Sequence, residues 1–173
     1  MKIYSSFGFK EFVLLTGFKG DLIKNYFLDY AYHTNDINIR TKNREIKLLT
    51  NKNLDWDITI LNTGEETMTG GRLNYAKKYV GENFLLTYGD GVGNIDIKKS
   101  IKLHLKMNKT ITMTCVKEPT RFGAVEIKND IVTNFEEKDK SSYKQVNAGF
   151  FVVNKRIFDL VLKKNTIFER KIL

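Results

Sequence analysis

The chain has 173 residues, is 42% hydrophobic and 28% charged, and carries a formal net charge of +9 with one cysteine and two histidines. That length holds one sizeable core and not two full domains, and the composition is that of an ordinary globular protein. The lone Cys115 excludes an internal disulfide, His33 and His104 lack the spaced partners of a zinc site, and no window has the apolar length of a membrane span.

Met1 to Phe7 reads as the tail of a helix ended by Gly8, and Glu11 to Thr16 as a buried strand. Gly17 and Gly20 mark a loop. Asp21 then stands where it can cap a helix with Leu22, Ile23, Tyr26, Phe27 and Tyr30 on its apolar face. Helix, strand, helix is the rhythm of a parallel sheet. From Asp36 to Asn62 short alternating runs pair Ile37 with Ile39, Ile46 with Leu48 and Ile58 with Ile60. These predict peripheral strands, with polar turns at Asn43 and at Asn51-Lys52-Asn53 and with Trp56 as a packing anchor.

Asn62 to Leu73 brings hydroxyls and the Gly70-Gly71 pair to the start of a helix whose Leu73, Ala76 and Val80 share a face. Such a start offers unpaired N–H groups and the positive end of the helix dipole to an anion or a polar base edge. The plainer reading is a capped helix with a flexible Gly-Gly lead-in. Phe84-Leu85-Leu86-Thr87-Tyr88 is an apolar run of strand length, stopped by Gly89-Asp90-Gly91 with one carboxylate at its carboxyl end. Ligands of open α/β sheets sit at such ends, and flanking glycines let a bulky anion and a hard cation approach the backbone. Asp-Gly is also a common turn that binds nothing.

Asn94 or Asp96 can cap a helix with Ile97, Ile101 and Leu105 on one side. Thr110 to Val116 alternates as a central or near-central strand that holds Cys115 as a small core hydrophobe, and Pro119 marks a loop. After Arg121-Phe122-Gly123, the runs 124–128 and 131–135 form a hairpin around Asn129-Asp130. Glu136-Glu137-Lys138 closes it, an acid and lysine that suit a sugar hydroxyl and a phosphate, or a solvated pair. Asn147-Ala148-Gly149 opens a strand at Phe150 to Val153. A helix from Lys155 to Lys163 packs through Ile157, Leu160 and Val161, and Leu173 lies within a further element. The lysines are scattered, so the charge reads as solubility and attraction for anionic small molecules, with no nucleic acid and no membrane as partner. The N-terminus has no secretory pattern, which gives a cytoplasmic location as the expectation.

Taken in order, these stretches resemble the sugar-phosphate nucleotidyltransferases, and within them the glucose-1-phosphate cytidylyltransferases. The resemblance rests on Thr63-Gly64 with Met68-Thr69-Gly70-Gly71-Arg72-Leu73, and on Thr87-Tyr88-Gly89-Asp90-Gly91-Val92 with Asp96-Ile97. It continues through Arg121-Phe122-Gly123-Ala124, Phe135-Glu136-Glu137-Lys138 and Asn147-Ala148-Gly149-Phe150-Phe151-Val152, and covers nearly the whole chain. It implies a Rossmann-like, mostly parallel α/β sheet with flanking helices. It further implies nucleotide-sugar synthesis of the kind that serves lipopolysaccharide O-antigen, with CTP and glucose 1-phosphate as substrates and magnesium as cofactor. By resemblance Asp90 holds the metal, and Thr67, Arg72 and Gly89 meet the nucleotide. Lys138 meets the sugar phosphate as a catalytic group beside Asp90, and Glu137, Asn147 and Gly149 border the sugar. Assembly into a homo-oligomer is within what the resemblance allows.

The family also has a first strand with a glycine-rich Gly-Thr-Arg loop, and a second metal-binding aspartate nearer its C-terminus. Residues 1–173 are therefore expected to be a single nucleotidyltransferase domain truncated at both ends, with exposed apolar edges, marginal stability, a tendency to associate, and weak or no activity alone. Asp139, standing where the family has proline, is expected to loosen the loop that aims Lys138. The alternative is a non-catalytic remnant or interaction protein that keeps weak affinity for nucleotide or sugar phosphate.

Overall fold

The computed structural model of the chain describes residues 1–52, 54–119, 124–129, 131–136, 143–160 and 163–173. The first elements are Lys2–Ser6 (α1), Glu11–Thr16 (β1), Gly20–Leu28 (α2), Tyr30–Thr34 (α3), Ile37–Arg40 (β2), Glu45–Leu48 (β3), Asp57–Asn62 (β4) and Thr69–Ala76 (α4). Then come Asn83–Thr87 (β5), Ile97–Met107 (α5), Ile111–Pro119 (β6), Ala124–Lys128 (β7), Ile131–Glu136 (β8), Tyr143–Asn154 (β9), a 3-10 helix at Lys155–Asp159, and Phe168–Lys171 (α6). The class is α/β, with helices flanking sheets, and the chain forms two compact units. One is Met1–Glu82 together with Lys155–Leu173; the other is Asn83–Asn154.

In the first unit β1 occupies the predicted residues and pairs in parallel with β4, from Glu11 opposite Asp57 to Thr16 opposite Asn62. With β1 as its partner in a two-stranded sheet, β4 stands at an edge among the described strands, as its alternation suggested, while β1 is half-buried from Phe12 to Leu15, with only Thr16 buried, and not the buried strand expected. Parallel pairing needs a long crossover, which α2, α3 and the β2–β3 hairpin supply. Trp56 acts as the expected anchor: its ring meets Phe12 edge-on at 5.5 Å and its Nε1 donates to Ser5 Oγ at 3.0 Å.

α2 starts two residues earlier than read, from Lys19 in the left-handed region (φ 54°), so Asp21 lies in its first turn and caps nothing. The Gly20 and Leu22 N–H groups donate instead to the Gly17 and Lys19 carbonyls. Its apolar face is only partly covered: Phe27 and Tyr30 are half-buried, whereas Leu22, Ile23 and Tyr26 are exposed. The β2–β3 hairpin pairs Ile37 with Leu48 and Ile39 with Ile46, which puts four aliphatic side chains on one face, all exposed. α4 buries Leu73 and Ala76 but ends before Val80. The helix expected from Lys155 is a 3-10 helix, ended by a Leu160 N–H to Ile157 carbonyl bond; it buries Ile157 and Phe158, while Leu160 is exposed and Val161 lies outside the described residues.

In the second unit the antiparallel order is β5-β9-β6, so β9 is central and β6 stands at the edge of these described strands. β9 begins well before the predicted strand and buries Phe150, Phe151, Val152 and Val153. Its register against β6 slips: Met113 faces Phe151 while Cys115 faces Asn147. The extra residues are in β9, where Gly149 takes φ +76°, a conformation that glycine adopts without steric cost. The slip corrects the reading of Cys115, which is exposed.

α5 is capped by Asp96, whose Oδ1 accepts from the Lys99 N–H at 2.9 Å. Ile97 and His104 form its buried face, and Leu105 is exposed. His104 is structural, with Nδ1 2.8 Å from Thr112 Oγ1 and Nε2 3.2 Å from Asn83 Oδ1. The β7–β8 hairpin forms as predicted, with Asn129 at φ +50°.

Candidate functional site

In the first unit the candidate residues lie where β1 and β4 end and α4 begins. The sequence suggested that the α4 start presents free N–H groups. They are not free: Met68 N–H donates to the Lys164 carbonyl at 2.9 Å, and the Gly70 and Gly71 N–H groups both donate to the Thr166 carbonyl at 2.9 and 3.2 Å. The Gly-Gly pair is what permits this approach. A Cβ on Gly71 would stand 2.5 Å from the Lys164 carbonyl oxygen, and one on Gly70 would stand 3.0 Å from that of Thr166. The Thr69 hydroxyl closes the same contact, accepting from the Phe168 N–H at 2.9 Å. The pair thus serves close packing of α4 on the 163–168 segment, and commits the Met68, Gly70 and Gly71 N–H groups to it and not to an anion.

Arg72, one turn further on, reaches back to the strand ends. Its Nη1 donates to the Thr63 hydroxyl and its Nη2 lies 3.4 Å from the Glu65 carbonyl. The guanidinium lies over Gly17, the residue that follows β1. Among the described residues it makes no ion pair with a carboxylate; the pairs there are Lys10 with Asp55 and Arg40 with Glu45. Thr67 is buried, and its hydroxyl donates to the Thr63 carbonyl at 2.6 Å.

A separate group of candidate residues belongs to the other unit. β5 ends at Thr87, and Tyr88 carries the chain into the turn that holds Gly89 and Asp90, both exposed. The Thr87 hydroxyl donates to the Gly149 carbonyl at 2.9 Å, and Tyr88 N–H donates to the same oxygen at 3.3 Å. Asn147 Nδ2 donates to the Tyr88 hydroxyl at 3.3 Å, and its Oδ1 accepts from Gly149 N–H at 2.8 Å. A Cβ on Gly149 would lie 2.7 Å from the Tyr88 ring, so only glycine fits there. The Gly89-Asp90 turn and the Asn147–Gly149 segment are therefore joined through Tyr88, a residue that sequence reasoning quoted without giving it a role. Glu137, Lys138, Asp139 and Arg121 lie outside the described residues.

Asp90 suits a hard cation in part. It is exposed at a strand end between two glycines and is bound to no described side chain, but no group of three or more His, Cys, Asp or Glu residues among the described residues could hold a metal. A divalent ion held there would take one protein carboxylate and complete its shell with phosphate oxygens and water, as magnesium does in phosphate-binding sites. No described helix is long and apolar enough to cross a membrane.

The family model for nucleotidyl transferases matches residues 30–171. Glucose-1-phosphate cytidylyltransferase of Salmonella typhimurium is 39% identical over 173 residues, covering 99% of this chain and 67% of that protein. The probable glucose-1-phosphate cytidylyltransferase of Bacillus subtilis is 41% identical over 171 residues, covering 98% of this chain and 66% of its own length. Among solved structures, HddC from Yersinia pseudotuberculosis complexed with GMP-PN aligns with a TM-score of 0.66 at 21% identity, over 100% of this chain and 68% of that one. At that identity the match speaks for the fold alone, and it agrees with the α/β architecture above. Enzymes of this family generally use divalent metal ions. The breadth of the family match and the identity to the cytidylyltransferases together show that this chain belongs to the nucleotidyl transferase family.

Proposed function

We propose that this chain provides the nucleotide and sugar-phosphate binding of a glucose-1-phosphate cytidylyltransferase, which joins CTP to glucose 1-phosphate and releases pyrophosphate. The observation that carries the reading is 39% identity to the Salmonella typhimurium enzyme along 99% of this chain, a span that includes both the Arg72 and the Asp90 regions. The expected setting is nucleotide-sugar synthesis in the cytoplasm.

In that reaction a sugar-phosphate oxygen attacks the α-phosphorus of CTP. The new P–O bond forms as the bond to the bridging oxygen breaks, and pyrophosphate leaves with that electron pair. No covalent intermediate with the protein is needed, so the chain's task is to align two anions and meet the charge that spreads over their oxygens. Arg72 offers the nucleotide a planar set of donors, and Gly89 gives it room. Thr67 braces the Thr63 carbonyl behind the nucleotide. Lys138 meets the sugar phosphate, with Glu137, Asn147 and Gly149 along the sugar. Asp90 would hold magnesium, which when bound supplies positive charge on the phosphate oxygens. The Gly-Thr-Arg signature that the resemblance associates with wrapping the triphosphate does not occur in these 173 residues, and turnover by them alone is expected to be slow.

The test is pyrophosphate release with magnesium and glucose 1-phosphate, comparing CTP with ATP, GTP and UTP. Slow release that favours CTP and falls about tenfold or more in Asp90→Asn is expected. Release indifferent to the base, or unchanged in Asp90→Asn, contradicts the reading. Binding of both substrates with no release at all favours a non-catalytic binding protein.

A further inference from the structure

We infer that Thr63 is a positioning residue which, with Gly17, forms a socket that holds the Arg72 guanidinium at the ends of β1 and β4 as an uncompensated cation for a nucleotide phosphate. The inference rests on the reading of Arg72 as a nucleotide ligand and adds the residues that make it one.

Thr63 is 2% exposed, and every polar atom it has is committed. Its N–H and its hydroxyl both donate to the Thr16 carbonyl, each at 2.8 Å, and its own carbonyl accepts from the Thr67 hydroxyl at 2.6 Å. A threonine hydroxyl has one proton to give. With that proton on Thr16, the oxygen can only accept, and Arg72 Nη1 is its donor. The lone pair that receives Arg72 is therefore aimed by the backbone junction between β1 and β4, not by a free rotor.

Gly17 forms the opposite wall. A Cβ there would lie 2.8 Å from Arg72 Cζ and closer still to both terminal nitrogens. Gly17 is not among the residues with left-handed φ, so glycine is required for space and not for backbone conformation. Both oxygens that receive Arg72, the Thr63 hydroxyl and the Glu65 carbonyl, are neutral. A carboxylate in their place would neutralise the guanidinium. Neutral acceptors orient it and leave its charge and its remaining donors for an anion, with the side-chain ordering already done before the ligand arrives.

The test uses the 173-residue chain and three variants. Thr63→Val keeps the shape and removes the hydroxyl, Thr63→Ser restores the hydroxyl, and Gly17→Ala puts a methyl where the guanidinium lies. Nitrogen NMR of the arginine side chain should show slow rotation about the Arg72 Nε–Cζ bond in the parent and Thr63→Ser, and fast rotation in Thr63→Val. By calorimetry, the Kd for CTP should rise about tenfold in Thr63→Val and Gly17→Ala, stay near the parent value in Thr63→Ser, and leave the Kd for glucose 1-phosphate unchanged in all three. Fast rotation in the parent, slow rotation that persists in Thr63→Val, CTP affinity in Thr63→Val and Gly17→Ala unchanged from the parent, or a parallel loss of both ligands overturns the socket. Rotation released by Thr63→Val in a chain that binds no CTP keeps the socket and removes the nucleotide reading, so the two failures separate.

Discussion

Gly71 lies against the Lys164 carbonyl so closely that a Cβ would stand 2.5 Å from its oxygen, and the next carbonyl back, that of Lys163, is only 2.7 Å away. Backbone cannot yield as a side chain can. Gly71→Ala is therefore expected to destabilise the chain by about 1–3 kcal/mol, as overpacking of a tight contact does. Urea unfolding followed by circular dichroism checks this; an unchanged midpoint would mean that the α4 contact with 163–168 is not part of the folded core.

His104 ties three elements of the second unit through Thr112 on β6 and Asn83 at the start of β5. Replacing it by Leu removes both hydrogen bonds from a side chain that is itself 2% exposed. A loss of about 1–3 kcal/mol is expected in thermal unfolding. His33, exposed and stacked on Tyr26, should tolerate Ala within about 0.5 kcal/mol.

Tyr30 supplies a pH dependence. Its burial among Phe27 and Trp56 pushes its phenol above the ordinary value of 10.0, and charge on neighbouring Tyr26 pushes it further. The folded state thus holds the proton more tightly than the unfolded one. This contribution is fully present below pH 10 and is lost as pH rises through the folded value. Tyr30→Phe should flatten the fall in stability above that pH, measured by thermal unfolding across an alkaline series; an identical slope in both proteins would refute it.

The aliphatic face of the β2–β3 hairpin is the place to look for self-association. Ile39 is 53% exposed and Ile46, directly opposite, is 46% exposed. The double substitution Ile39→Thr and Ile46→Thr should leave stability within about 0.5 kcal/mol and lower the sedimentation coefficient at high concentration. A coefficient that does not change with concentration in the parent chain would contradict it.

What the sequence revealed and what it hid divide along the range of the interactions. β1, β5 and the β7–β8 hairpin are written locally, in apolar runs and an Asn-Asp turn, and they fold where read. The parallel pairing of β4 with β1 was hidden because it is reached only across a long crossover. Cys115 looked buried because strict alternation was assumed, and the slip opposite Gly149 breaks it. The α4 N–H groups looked free because their acceptors, Lys164 and Thr166, come from the far end of the chain. The site shows the same division. Arg72 and Asp90 stand out by residue type at strand and helix ends, whereas Thr63 and Gly17, which fix Arg72, have no chemistry that singles them out until the β1 and β4 ends are side by side.

Calorimetric titration of the 173-residue chain with CTP, in parent and Arg72→Ala, tests the central claim most directly. The parent is expected to bind CTP, Arg72→Ala to bind it about tenfold or more weakly, and glucose 1-phosphate to bind both chains equally. A parent chain that binds neither ligand, or an Arg72→Ala chain that binds CTP as the parent does, would contradict it.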